Sequence, residues 1–141
     1  MTLSAASSVS AASTDGGTPA YAMTQGLEQL QLRLQYRFQN PDLLRRALTH
    51  RSFSADHYER LEFLGDSVLG FLVTEHVYQL HPDLAEGELS RLRNAAVSAK
   101  TLSLAAINIG LGEFILLGKG ESLSGGSSKS NILADAFEAV L

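Results

Sequence analysis

The chain of 141 residues contains no cysteine, and only 18% of its residues are charged. The first absence excludes a disulfide scaffold and any thiolate metal site, and it fits a reducing compartment. No apolar run reaches the roughly 18 residues that a membrane-spanning helix needs. Positive charge is also scarce: the formal net charge is −4, which argues against a uniformly basic nucleic-acid-binding surface. There is no internal repeat and no period-two segment of useful length, so a sheet has little to build on. What remains is a length that suits one domain of ordinary size with a real core.

The first 26 residues differ from the rest. Residues 1–26 are rich in Ala, Ser, Thr and Gly, with Asp15 as the only charge. This composition predicts a disordered leader. It has neither the basic start and apolar core of a signal peptide nor the Arg content of a transit peptide. Residues 27–141 read as one all-α unit. Leu27, Leu30 and Leu34 recur at helical spacing. Asn40-Pro41-Asp42 is a strong helix start. Asp56 and Glu59 stand at capping-box spacing before a long apolar helix that Pro82 stops. Further helices are predicted from Glu86 to Ala96, from Ser98 to Gly110 and from about Asn131 onward. Phe114 to Leu117 reads as a short extended piece, and Gly118 to Ser130 as a Gly/Ser loop that lacks the Gly-Lys-Ser/Thr ending of a P-loop.

Two helices carry the chemistry. At 100° per residue, Glu59, Glu62 and Asp66 fall within about 60° of one another. They form a narrow acidic stripe on a helix whose other faces hold Leu61, Leu64, Val68, Leu69, Phe71 and Leu72. Asp135 and Glu138 repeat the arrangement among Ile132, Leu133, Ala134, Ala136, Phe137, Ala139 and Val140. Helices so apolar are expected to pack on nearly all sides, leaving the carboxylates partly desolvated and crowded. Neither stripe contains Lys or Arg. A hard divalent cation with oxygen ligands is the better remedy, and Mg²⁺ fits. Carboxylate-held Mg²⁺ usually serves phosphate chemistry, which gives phosphodiester hydrolysis as one reading. Three others stand beside it. A prenyl-diphosphate enzyme would show Asp-Asp-x-x-Asp, which is absent. A di-iron bundle would show Glu-x-x-His, and none of the four histidines follows a Glu at that spacing. In the third, the acids simply cap helices or face solvent. Gly65 and Gly70 each cost a helix interior about 1 kcal/mol, and close helix approach would offset that.

The segment Glu59-Arg60-Leu61-Glu62-Phe63-Leu64-Gly65-Asp66-Ser67-Val68-Leu69 resembles the signature of ribonuclease III. The resemblance extends to Ala47-Leu48-Thr49-His50-Arg51-Ser52, to Glu86-Gly87-Glu88-Leu89-Ser90-Arg91-Leu92-Arg93, to Leu117-Gly118-Lys119-Gly120-Glu121, to Ser124-Gly125-Gly126, and to Ile132-Leu133-Ala134-Asp135-Ala136-Phe137-Glu138-Ala139. It implies an all-α endonuclease domain, working as a homodimer, that cuts double-stranded RNA to 5′-phosphate and 3′-hydroxyl ends. It implies Glu62, Asp66, Asp135 and Glu138 as Mg²⁺ ligands, with Mn²⁺ as a substitute, and Asp66 and Glu138 as the catalytic residues most sensitive to replacement. Glu59 and Glu86 match further acids of the cleft, Glu86 from across the dimer. Thr49, His50, Arg51 and Lys119 are candidates for RNA contact, although Thr49 to Ser52 reads equally as a polar turn. Phe63 matches a dimer contact. Processing of ribosomal RNA precursors and some messenger and transfer RNAs in the cytoplasm is implied, with no membrane or small-molecule partner. The resemblance also implies a domain that continues past Leu141 toward a double-stranded RNA-binding domain. A non-catalytic, RNA-binding scaffold of the same fold is the alternative.

Overall fold

The computed structural model of the protein describes residues 19–141. Among these, helices dominate, and the one strand-like feature is an isolated parallel bridge between Thr49 and Leu116. The helices are α1 (Pro19–Leu34), α2 (Pro41–Ala47), α3 (Glu59–Leu80), α4 (Glu86–Ala96), α5 (Ala99–Asn108), α6 (Lys119–Leu123) and α7 (Ser130–Val140). Two 3₁₀ turns, Leu111–Phe114 and Gly126–Ser128, complete the path.

The local signals act as their chemistry requires. Asn40 Oδ1 accepts the amides of Asp42 and Leu43, and Pro41 opens α2. Ser98 caps α5 by accepting the Thr101 amide. Gly110 takes the left-handed φ of 66° that lets the chain leave α5.

α7 is the central helix. It packs on α3 and α5 and touches α2 and both 3₁₀ turns. Ile132, Leu133, Ala134, Ala136 and Ala139 are buried along it. The core continues through Leu30, Leu44, Leu48, Tyr58, Ala106, Leu111 and Ile115. Small residues on α7 allow α3 to come close. At Gly65, the only buried residue of α3, an added Cβ would overlap the Glu138 carbonyl oxygen. The close approach expected at Gly65 is therefore present. At Gly70 it is not, since nothing lies within 4 Å of a Cβ there.

The structure corrects other expectations. The leader predicted over residues 1–26 is helical from Pro19 onward; its remainder, residues 1–18, lies outside the described residues. Gly26 and Leu27 border Phe114 and Leu116, so tertiary contact extends a helix that periodicity alone began at Leu27. The capping box of Asp56 and Glu59 does not form. Asp56 is instead ion-paired to Arg46 at 2.8 Å, and the Glu59 amide donates to His57 Nδ1 at 3.4 Å. The Gly118 to Ser130 loop folds into α6 and a 3₁₀ turn, pinned by Lys129 Nζ donating to Glu121 at 2.6 Å and Ser124 at 3.1 Å. The largest correction concerns α3. It does not pack on nearly all sides: Phe63 is 78% exposed, Phe71 69% and Tyr78 70%, with Leu64 and Leu72 also exposed. α7 meets that expectation and α3 does not.

Candidate metal centre

The acidic stripes of α3 and α7 face each other because Gly65 lets the two backbones meet at Glu138. One carboxylate oxygen each from Glu62, Asp135 and Glu138 falls within 4.8 Å of the others. Two residues come from one helix and one from its neighbour, which neither helix could arrange alone. All three are partly buried. Among the described residues, none of them, nor Asp66, has an ion pair with Lys, Arg or His.

Uncompensated charge shows in the protonation equilibria. Burial pushes the Glu138 carboxyl up to about 7, helped by the negative charges of Asp66, Glu62 and Asp135. Glu62 is raised by burial and by Asp135, Glu59 and Asp66. Asp135 is raised by burial and by Glu59, with His50 acting in the opposite direction. The buried Tyr58 hydroxyl is held well above its ordinary value, mainly by burial and also by Asp135, Glu62, Glu59 and Glu121. A site that disfavours its own anions is poised for a cation. The all-oxygen donor set and the close spacing fit a hard divalent ion that keeps several waters.

The remaining sequence candidates divide. Asp66 is exposed and lies outside the close triad, yet near enough for its charge to raise Glu62 and Glu138. Glu59 borders the cluster in the same way and pairs with Arg51 at 3.4 Å. Glu86 is remote in this chain. It accepts a hydrogen bond from Ser90 Oγ at 2.6 Å and lines a cleft with Thr74, Val77 and Tyr78. Thr74 is about 18 Å further along α3 than Glu62, at roughly 1.5 Å per residue. Arg51 and Lys119 are exposed. His50 is half-buried beside Tyr58, ring to ring at 5.8 Å.

Thr49 is a correction. It is 2% exposed, its hydroxyl donates to the Arg45 carbonyl at 2.7 Å, and its carbonyl accepts the Tyr58 amide. It orients the turn and presents nothing to a ligand. Sequence reasoning missed Tyr58, whose ring supports the start of α3 under the site, and the bond from the Gly118 amide to Ser52 Oγ at 2.9 Å. That second contact joins residues 66 apart in the chain and has no local signal.

A family model described as Ribonuclease-III-like matches residues 40–141. A Ribonuclease 3 of Albidiferax ferrireducens is 57% identical over 119 residues, which are 84% of this chain and 52% of that protein. A Ribonuclease 3 of Nitrosococcus oceani is 52% identical over 119 residues, 84% of this chain and 51% of that protein. The chain thus spans about half the length of the curated relatives it matches. A solved nuclease domain of ribonuclease III from Campylobacter jejuni, described for structural flexibility in a region involved in dimer formation, is similar with a TM-score of 0.79 at 44% identity. That likeness covers 81% of this chain and 80% of the other.

Proposed function

The chain belongs to the ribonuclease III family, and from that premise we propose that it is an endoribonuclease that hydrolyses double-stranded RNA with Mg²⁺. The observation that carries this reading is the uncompensated triad of Glu62, Asp135 and Glu138, with oxygens within 4.8 Å. A divalent cation held there, Mg²⁺ or Mn²⁺ in its place, supplies an activated water at neutral pH and neutralises charge on the phosphoryl oxygens.

The chain's own residues divide the remaining work. Glu62, Asp135 and Glu138 hold the cation, and the Gly65 contact keeps their two helices in register. Asp66, one turn beyond Glu62, extends the acidic rim into solvent and completes the ligand set on the substrate side. Asp66 and Glu138 are the catalytic residues whose loss costs most. In-line attack by water on the phosphorus breaks the bond to the 3′ oxygen. The products are a 5′-phosphate and a 3′-hydroxyl, and no covalent nucleophile is needed. Exposed Arg51 and Lys119 track the phosphates. An A-form duplex presents a wide minor groove and 2′-hydroxyls, so shape governs recognition.

The exposed apolar face of α3, led by Phe63, supports a homodimer in which Phe63 enters the partner. In that assembly Glu86 would serve the partner's cleft. Processing of ribosomal RNA precursors and some messenger and transfer RNAs in the cytoplasm is the setting this reading implies. Among the described residues no helix is long and apolar enough to cross a membrane.

The test is cleavage of a long RNA duplex with and without Mg²⁺, with mapping of the ends. Endonucleolytic products carrying 5′-phosphates, lost in Asp66→Asn, are expected. A duplex that is bound in Mg²⁺ but left intact would instead establish the non-catalytic scaffold.

A further inference from the structure

His50 lies in the turn between α2 and α3, its amide donating to the Leu116 carbonyl at 3.0 Å. Its Nδ1 receives the backbone N–H of Ser52 at 3.1 Å. A backbone amide can only donate, so Nδ1 carries its lone pair and the neutral ring holds its proton on Nε2. The Ser52 hydroxyl adds to this. Its Oγ accepts the Gly118 amide at 2.9 Å and stands 2.7 Å from Nδ1. With Nδ1 an acceptor, the hydroxyl turns its O–H toward it, and the Ser52 N–H and O–H share the one ring lone pair.

Gly118 fits so tightly that a Cβ would run into the Ser52 carbonyl. The turn and the loop together close on one edge of the imidazole. Tyr58 stands against the ring at 5.8 Å. Among the described residues no hydrogen bond engages Nε2, and no side-chain nitrogen or oxygen is buried without a partner. The Nε2–H is therefore an accessible donor of fixed direction. The ring is near the acidic site, since Tyr58, against which it stands, accepts the Glu62 amide at its carbonyl at 2.9 Å.

We propose that Ser52 and Gly118 are positioning residues that lock His50 in the Nε2–H tautomer, and that this N–H donates to a non-bridging phosphate oxygen of the RNA strand lying over the acidic cluster. The role at RNA rests on the endonuclease reading above; the tautomer lock does not. A locked tautomer has a physical purpose here. A phosphate approaching a cluster of carboxylates gains from a donor, whereas an imidazole lone pair turned toward it would repel. Facing the lone pair inward onto two donors removes that alternative.

Two measurements on the full chain test the proposal. The first is ¹⁵N–¹H correlation of the imidazole nitrogens, recorded well above the ordinary imidazole range near about 6.5, with His50 assigned by its loss in His50→Gln. The wild-type signal is expected to show protonated Nε2 and bare Nδ1. Ser52→Ala keeps the residue-52 amide but loses the hydroxyl donor and the anchor to Gly118, so protonated Nδ1 should gain population beside the wild-type form, and Ser52→Thr should remove it. The second is kcat/KM on duplex RNA. His50→Gln places an amide donor where Nε2–H stood, while His50→Asn places one near Nδ1. The Asn variant should fall about tenfold below the Gln variant, the size of one hydrogen bond to a charged group. A protonated Nδ1 in the wild type overturns the lock, and equal activity of the two variants overturns the phosphate contact. A wild-type chain inert toward RNA overturns the endonuclease reading and the phosphate role with it, while the spectrum, which needs no RNA, still decides the tautomer.

Discussion

Replacing Gly65 by Ala probes the contact on which the acidic cluster depends. The new methyl would overlap the Glu138 carbonyl oxygen, and would stand 2.6 Å from the carbonyl carbon and 3.3 Å from Cα. Carbon–oxygen contacts settle at about 3.3 Å or more, so α3 and α7 must separate by on the order of 1 Å. All three opposing atoms are backbone, and no rotamer change relieves them. Overpacking of this kind costs about 1–3 kcal/mol, offset by the roughly 1 kcal/mol that Ala gains over Gly in a helix. A net loss of up to about 2 kcal/mol lowers Tm by up to roughly 8 °C. The same separation pulls Glu62 away from Glu138, so the rise in Tm expected of the wild type in Mg²⁺ should shrink or vanish in the variant. Thermal unfolding with and without Mg²⁺ measures both effects. Gly70→Ala, on the same helix with open space around it, is the control and should be neutral or stabilising by about 0.5–1 kcal/mol. If Gly65→Ala matches Gly70→Ala in stability and in its response to Mg²⁺, the close backbone contact does not hold the site.

Other consequences follow from the same geometry. Glu138 binds its proton more tightly in the folded chain than at its ordinary value of 4.5, with a folded value of about 7. Its contribution to metal-free stability is therefore greatest below about pH 4.5 and declines as pH rises through about 7. Denaturant titrations across that window should show the decline, and Glu138→Gln should flatten it. Asp66→Asn should leave the metal-free fold within about 0.5 kcal/mol of wild type, as expected for an exposed side chain, while lowering duplex cleavage by more than about a hundredfold; equal activity would remove Asp66 from the site. Phe63→Ala, at a position 78% exposed in one chain, should weaken self-association by about tenfold or more, the scale of a buried aromatic anchor. Sedimentation as a function of concentration reads this directly, and an unchanged equilibrium would place the dimer elsewhere.

Much of the fold was legible because its signals are local. Asn40-Pro41 and Ser98 act through amides two or three residues away, and the α4 limits at Glu86 and Ala96 follow from helical period alone. The acidic stripes were legible for the same reason, since three- and four-residue spacing places carboxylates on one helix face. The sequence also distinguished Gly65 and Gly70 only as two identical costs. Other misreadings had non-local causes. Asp56 looked like a cap until Arg46, on another helix, claimed it. Thr49 looked like a polar surface residue until the bridge to Leu116 and the bond to Arg45 buried it. The apolar residues of α3 looked like core, because periodicity records that a face is hydrophobic and not what covers it.

By itself the sequence determined most of the helices, the family resemblance and which carboxylates share a helix face. Tertiary structure decided that Glu62, Asp135 and Glu138 form the tight group while Asp66 stands at its rim, and that Gly65, not Gly70, lies at the close backbone contact. It also decided which ring nitrogen of His50 is held and which is open. The division has one physical reason. Hydrogen bonding and side-chain period act over a few residues and are written in spacing. Desolvation, charge crowding and backbone overlap depend on what another part of the chain brings within a few ångströms, and only the folded chain sets those distances.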